Sequence, residues 1–199
     1  MKIVETNDKL LYNLYEIEYI AEQQEEIVKD CFTAVKKIND FVEAETNNKD
    51  TTWFYTRYNV FSIMPGNIHF FKIFKELQLC AKHYFEHYKI QFDEQLWIQS
   101  WLNHHTHDTV LSRHNHWSPV HGYLSINPQN TETVFYHNDF DTTEMFAVQN
   151  RPGLVYLGPG KREHSVRNLT NYDGTRFTIG FDIDDMDTTE HLGMIPLVI

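Results

Sequence analysis

The sequence predicts one α+β domain: a β core of the sandwich or jelly-roll kind, with two N-terminal helices packed on the outer face of one sheet. Three observations lead there. Two segments of the first half carry apolar residues at helical spacing, with charged residues between them. From Asp93 onward the texture changes to about eight short runs rich in Trp, Ile, Val, Phe, Tyr and Thr, parted by polar turns. The helices do not alternate with the strands, so they cover a sheet rather than connect its members. A length of 199 residues suits one domain with a sizeable core. Within it, 1–92 reads as a mainly helical support region, 93–185 as the β core and 186–199 as a C-terminal tail.

Taken in order, 10–20 alternates loosely and reads as a short strand through Tyr15, Ile17 and Tyr19. A helix begins after Ala21, where Ile27, Val28, Cys31, Phe32, Val35, Ile38 and Val42 form one stripe. It ends near Asn47-Asn48, a turn-forming pair. The stretch from Trp53 to Met64 is aromatic and irregular, and Pro65-Gly66 breaks it. Asn67 then caps a second helix, with Phe70, Phe74, Leu77, Ala81, Tyr84 and Tyr88 on one side. The strands follow as 95–102, 110–116, 122–126, 133–137, 144–149, 154–157, 164–168 and 175–183. Asn127-Pro128, Arg151-Pro152-Gly153, Gly158-Pro159-Gly160 and Asp173-Gly174 punctuate them.

Composition excludes several classes. Apolar residues make up 41% and aromatic residues 15%, too many for a disordered chain. With 28 acidic against 17 basic residues the formal net charge is −11, which repels nucleic-acid phosphates, so nucleic acid is not the expected partner. No run reaches the roughly 18 apolar residues of a membrane span. Met1 to Leu10 carries charge without an apolar core, so no signal peptide is expected. Cys31 and Cys80 each fall inside an apolar helical stripe and form no Cys-x-x-Cys pair, which reads as two buried thiols in a reducing compartment. A soluble cytoplasmic protein is the expectation. The oligomeric state stays open, a homodimer included.

Six of the twelve histidines fall between His104 and His121. His114 and His116 sit two apart. On a strand both side chains leave one face, about 6–7 Å apart along the backbone, where neutral imidazoles can share one metal ion at about 2.1 Å each. His105 and His107 repeat the spacing inside His104-His105-Thr106-His107-Asp108, a polar cluster that reads as a solvated turn. His83 and His87, one turn apart on the second helix, have no third ligand beside them and read as solvated or packing residues. His137-Asn138-Asp139 offers another pair. A third ligand decides among them. His164 enters a strand from the turn Pro159-Gly160, and the stretch from His116 to it leaves room for about four jelly-roll strands. The stretch from Asp139 does not. His114, His116 and His164 are therefore the expected ligands. Three imidazoles on one face of an ion leave positions open, a catalytic rather than a closed structural arrangement.

Arg176-Phe177-Thr178 follows shortly after. If Leu169 to Asp173 joins two antiparallel strands with Asn168 facing Gly174, then Val166 faces Arg176 and His164 faces Thr178, and all four point inward. A buried guanidinium needs an anion. A dicarboxylate reaching from the metal to Arg176 would meet that need bidentately. The bland alternative pairs Arg176 with a surface carboxylate such as Asp173.

The order of these pieces resembles the iron(II)- and 2-oxoglutarate-dependent oxygenases, and looks closest to the 2OG-Fe(II) oxygenase group of bacteria and tailed phages. The residues that carry it are Trp101-Leu102-Asn103, His114-Asn115-His116-Trp117-Ser118, Arg151-Pro152-Gly153-Leu154-Val155-Tyr156-Leu157, His164-Ser165-Val166-Arg167-Asn168 and Arg176-Phe177-Thr178-Ile179-Gly180-Phe181. It spans about Gln95 to Asp182. It implies a double-stranded β-helix core (jelly roll, cupin-like), Fe(II) held by His114, His116 and His164, and the distal carboxylate of 2-oxoglutarate bound by Arg176 and Thr178. Asn103 and Tyr123 are implied as further contacts to the cosubstrate. The implied reaction is dioxygenation, releasing succinate and CO2 while hydroxylating a small molecule or a protein side chain. Trp117, Phe135 and Tyr156 are candidates to line a dry cavity.

There are departures from that pattern. His116 stands where most of the superfamily has Asp or Glu, which adds positive charge, tightens the dianionic cosubstrate and weakens retention of free Fe(II). His121 stands where the group often has Ser. Two rivals share the histidines: a three-histidine cupin dioxygenase that uses no 2-oxoglutarate, as thiol dioxygenases do, and a non-catalytic cupin-like binding protein. Arg176 argues against the first, and the full ligand set against the second.

Overall fold

A computed structural model describes residues 1–42, 59–92, 95–109, 111–138, 141–185 and 193–199. The aromatic stretch 53–58, the turn Asn47-Asn48 and Asp139 lie outside the described residues. The chain opens with strands β1 (Lys2–Asn7) and β2 (Tyr12–Glu16), followed by helices α1 (Glu18–Glu22), α2 (Gln24–Val42), α3 (Val60–Ile63) and α4 (Ile68–Tyr88). Strands β3 (Trp97–His105), β4 (Val120–Asn127), β5 (Thr131–Asn138), β6 (Asp141–Gln149), β7 (Leu154–Pro159), β8 (His164–Asn168), β9 (Arg176–Asp184) and β10 (Met194–Pro196) complete it. No described helix is long and apolar enough to cross a membrane.

The strands form a seven-stranded sheet, β1-β2-β7-β4-β9-β3-β10, and a three-stranded sheet, β6-β5-β8, in which neighbours run antiparallel. After β4 the chain runs β5 and β6 in the small sheet, β7 in the large, β8 in the small and β9 in the large. This repeated crossing is the double-stranded β-helix. It also corrects the expected register. β8 and β9 are consecutive in sequence but lie in different sheets, so Val166 does not face Arg176. Arg176 instead pairs with His105, and Thr178 with Asn103 and Ser125. Side-chain parity survives, because alternation along β9 alone sends Arg176, Thr178, Gly180 and Asp182 to one face.

The opposite face of β9, with Phe177, Ile179, Phe181 and Ile183, joins Leu124, Ile126, Val155, Leu157, Ile98 and Leu102 in the main core. The helices close this core from outside. α2 contributes Ile27, Cys31 and Ala34, and α4 contributes Phe70, Ile73, Leu77, Cys80, Ala81 and Tyr84. A central strand covered on both faces is buried at every position but its last, as β9 is. Phe32 departs from its stripe: it is 52% exposed, with its ring edge-on to Phe177. Asn67 starts α4 as expected, its side chain accepting from the backbone N–H of His69 and Phe70 at 3.0 and 2.9 Å. Cys31 and Cys80 are buried free thiols whose pKa values burial drives up.

The short helices α1 and α3 were not expected, and the strand expected through Tyr15, Ile17 and Tyr19 ends at Glu16, with Tyr19 inside α1. Two strands were not expected either. The exposed β1 pairs with β2, and this hairpin extends the large sheet. β10, from the C-terminal tail, pairs with β3 at the other edge. A further difference concerns 110–116, expected as a strand. Its described part, 111–116, is not a strand and makes only an isolated bridge between His114 and His164. Backbone bonds from Val166 N–H to Leu111, His116 N–H to Gly160 and Gly160 N–H to Pro119 hold it against the edge of the small sheet. Glycine is needed at 160, where a Cβ would sit 1.9 Å from the Ser118 carbonyl oxygen.

Candidate metal centre and anion pocket

The inward faces of β3, β4 and β9 build one wall of a cavity in layers. His105 pairs with Arg176, Asn103 with Thr178, Trp101 with Gly180 and Gln99 with Asp182. On the other side of β9, Ser125 pairs with Thr178, Tyr123 with Gly180 and His121 with Asp182. A Cβ at Gly180 would lie 2.5 Å from the Trp101 indole, so glycine is what lets Trp101 lie flat across the strand. The small sheet supplies the facing wall through His164, Val166 and Thr133, and the enclosed space is about 470 Å³.

His114, His116 and His164 converge at mid-depth, with one ligating atom of each within 4.8 Å of the others. Each is oriented through its Nδ1. His114 Nδ1 lies 2.7 Å from the Ser112 carbonyl oxygen, His164 Nδ1 3.2 Å from that of Arg162, and His116 Nδ1 3.1 Å from Asp182 Oδ2. Oxygens of this kind only accept, so each Nδ1 carries the proton and each Nε2 presents a lone pair. Burial lowers the pKa of His114 and, much further, that of His164. His116 Nε2 is buried and has no hydrogen-bond partner among the described residues. A buried orphan lone pair is costly unless something occupies it. The three-nitrogen set therefore fits a divalent transition metal.

A second group shares His116. His121 Nδ1 donates to Asp182 Oδ1 at 2.8 Å, so one carboxylate receives both imidazoles. Although burial alone would raise its pKa, the bonds from His116 and His121 hold the Asp182 carboxyl at about 2. These three residues could also hold an ion, but their geometry disfavours it. The rings of His116 and His121 lie face to face, with centroids 3.6 Å apart and planes 9° from parallel. An ion in the plane of one ring is then far out of the plane of the other, away from its lone pair.

A buried cation also lines the cavity. Arg176 is 3% exposed, and burial lowers its pKa. Its Nη1 donates to Thr178 Oγ1 at 3.3 Å and its Nη2 to His105 Nδ1 at 2.7 Å, so neither partner is a carboxylate. Asp173 is exposed, and the expected alternative of an Arg176–Asp173 pair does not form. Tyr123 points into the same space, with its hydroxyl buried and without a partner among the described residues. Burial raises its pKa, so it stays a donor. Asn103 lines the cavity between Arg176 and the histidines.

The structure thus brings together the seven residues singled out in the sequence: His114, His116, His164, Arg176, Thr178, Asn103 and Tyr123. It adds His105, which the sequence reading placed in a solvated turn. β3 continues through His105, which is 3% exposed. It also adds Asp182 and assigns His121 to it. Phe135 and Tyr156 belong to a second core between the sheets, not to the cavity lining. Trp117 sits at the cavity rim with 93% of its surface exposed. His137 is exposed. His83 and His87 pack as expected, His83 against Tyr15 and His87 on Asp8.

Neutral buried histidines set a pH limit. Burial depresses His105 to about 3 and His121 to about 4. The unfolded chain takes up protons at both sites near pH 6.5. Below that value the unfolded state binds more protons than the folded one, so stability falls as pH falls. The loss runs from about pH 6.5 down through 4 and 3, and Asp182 extends it toward 2. Melting temperature followed by circular dichroism with a chelator present drops steadily from pH 7 to pH 4. A flat profile over that range would contradict the neutral, buried assignment.

No protein-family model matches the sequence, and no curated protein matches it. Among solved structures, the fold is similar to a prolyl-4-hydroxylase of Pseudomonas putida, with TM-score 0.57 and 10% identity over 89% of each chain. It is also similar to SnoK, a non-heme alpha-ketoglutarate-dependent carbocyclase of nogalamycin biosynthesis, with TM-score 0.54 and 9% identity over 91% of this chain and 85% of SnoK. An oxidoreductase of the 2OG-Fe(II) oxygenase family from Burkholderia pseudomallei aligns over 53% of this chain, at TM-score 0.43 and 12% identity, and the alignment spans 52% of that protein's length. At these identities the likeness is one of fold. The fold is a double-stranded β-helix like that of the prolyl-4-hydroxylase and SnoK, and the histidine cluster inside it could hold a metal ion.

Proposed function

We propose that the protein is an Fe(II)- and 2-oxoglutarate-dependent dioxygenase acting on a small molecule or a protein side chain. One observation carries this reading: Arg176, buried and without a carboxylate partner, faces the same cavity as three histidine Nε2 lone pairs. A histidine-only metal site that needed no anionic cosubstrate would gain nothing from a desolvated guanidinium at its base.

In this reading His114, His116 and His164 hold the ion by Nε2. Arg176 and Thr178 receive the distal carboxylate of 2-oxoglutarate, and Tyr123 and Asn103 donate to it from the sides. His105 accepts from Nη2 and so fixes the plane of the Arg176 fork. When bound, the iron and cosubstrate would supply reduction of O2, one oxygen atom going into succinate as CO2 leaves and the other into a substrate C–H bond as hydroxyl. The protein's part is to position and to keep water out: Trp101 walls the centre, and Trp117 at the rim offers a substrate its first aromatic surface. Two buried free thiols suit a reducing, cytoplasmic setting.

The test is anaerobic. Fe(II) and 2-oxoglutarate added to the metal-free protein give the visible charge-transfer band of the chelate, and admitting air gives succinate. Absence of both the band and succinate would sink the proposal. A band that appears with Fe(II) alone and ignores 2-oxoglutarate would favour a cosubstrate-free dioxygenase.

A further inference from the structure

Three neutral imidazoles bring no negative charge to a divalent ion, and this centre lies in a largely buried cavity. An uncompensated charge of +2 in such a place is costly. A compensating group, Asp182, is 6% exposed and bonds to His116 at Nδ1, on the side of the ring away from Nε2. Its Oδ2 accepts a hydrogen bond from His116 Nδ1 at 3.1 Å, while His116 Nε2 is buried without a partner among the described residues. Its Oδ1 is held by His121 at 2.8 Å, and His121 is in turn clamped face to face on His116. Both carboxylate oxygens are thus engaged and the group has a single orientation.

We infer that Asp182 is a positioning residue for the ion held by His114, His116 and His164. Through the His116 Nδ1–H it fixes the tautomer that exposes Nε2, and it lends the histidine-only set its negative charge. His121 is not a ligand; its role is to lock Asp182 in place. The inference rests on the metal reading of the three histidines proposed above. Carboxylates hydrogen-bonded to a ligating imidazole orient the ring and raise its basicity, and their loss costs roughly 10–100-fold in metal affinity. Here the residue to replace is Asp182. In Asp182→Asn the amide oxygen can accept from one imidazole only, and the amide N–H2 then faces the other Nδ1.

The experiment titrates Co(II), as a spectroscopic stand-in, into the metal-free wild type and Asp182→Asn. Melting curves of both without metal check the fold. The expected result is wild-type binding and a roughly 10–100-fold weaker isotherm for the variant. Equal affinity in a folded variant overturns this inference and leaves the metal reading standing. No binding by the wild type overturns the metal reading and this inference with it. Loss of binding in His121→Phe together with full binding in His164→Ala overturns the assignment by placing the ion at His116, His121 and Asp182. A measurement on the wild type alone guards against a variant that fails to fold. Long-range ¹⁵N–¹H spectra of the metal-free protein, with His116 identified by its absence in His116→Gln, show the proton on Nδ1. A proton on Nε2 overturns the inference.

Discussion

Replacing His164 with alanine is expected to abolish divalent-metal binding, and with it the proposed turnover. His164 is 4% exposed, and its backbone pairs with that of His114 in both directions, N–H to carbonyl, at 3.0 and 2.9 Å. The side chain lines the cavity. A tetrahedral or octahedral ion that loses one of three protein ligands loses more than the roughly 10–100-fold typical of an outer-shell change. Co(II) absorption and a metal-induced rise in melting temperature both read this directly. His137→Ala, which removes an exposed histidine at the far end of β5, serves as the matched control and binds normally. Wild-type affinity in His164→Ala would remove the basis of the metal centre.

Arg176→Met separates binding from stability and moves them in opposite directions. In the cosubstrate-free protein Arg176 is a buried cation whose partners are a hydroxyl and a neutral imidazole. Exchanging such a group for an apolar one of similar reach is often stabilising, by about 1–4 kcal/mol. For 2-oxoglutarate the change leaves a buried carboxylate without its cation, a cost of about 3–5 kcal/mol. At 1.4 kcal/mol per factor of ten this is roughly two to three and a half orders of magnitude in the KM for 2-oxoglutarate. Metal binding is untouched. The expected outcome is thus a higher melting temperature without cosubstrate, a normal Co(II) isotherm and a severely raised KM. An unchanged KM would move the cosubstrate elsewhere in the cavity.

Much of this was legible in the residues. Pro and Gly pairs marked most of the strand breaks, although the β7 ladder runs on through Gly158 and Pro159. The helical stripes located α2 and α4, and Asn67 located the start of the second. His114, His116, His164, Arg176 and Thr178 were readable because strand parity depends on sequence alone. What parity cannot supply is the neighbour. Chain crossing between the two sheets separates β8 from β9, so Arg176 met His105 rather than Val166.

His105 itself was hidden by composition. His-His-Thr-His-Asp is as polar as a turn, yet Gln99, Trp101, Asn103 and His105 keep the two-residue period of the strand they end. Asp182 had the same signal: Arg176, Thr178, Gly180 and Asp182 alternate with four apolar residues. A charged residue in that phase on a strand otherwise buried on both faces points inward. β1 gave no signal, since five of its six residues are exposed and no core depends on them.

The segment carrying His114 and His116 meets the small sheet through one bridge and a few backbone bonds rather than through a full ladder. In the proposed metal reading an ion would join His164 to this ribbon as a clasp, and part of its binding free energy would go into ordering chain.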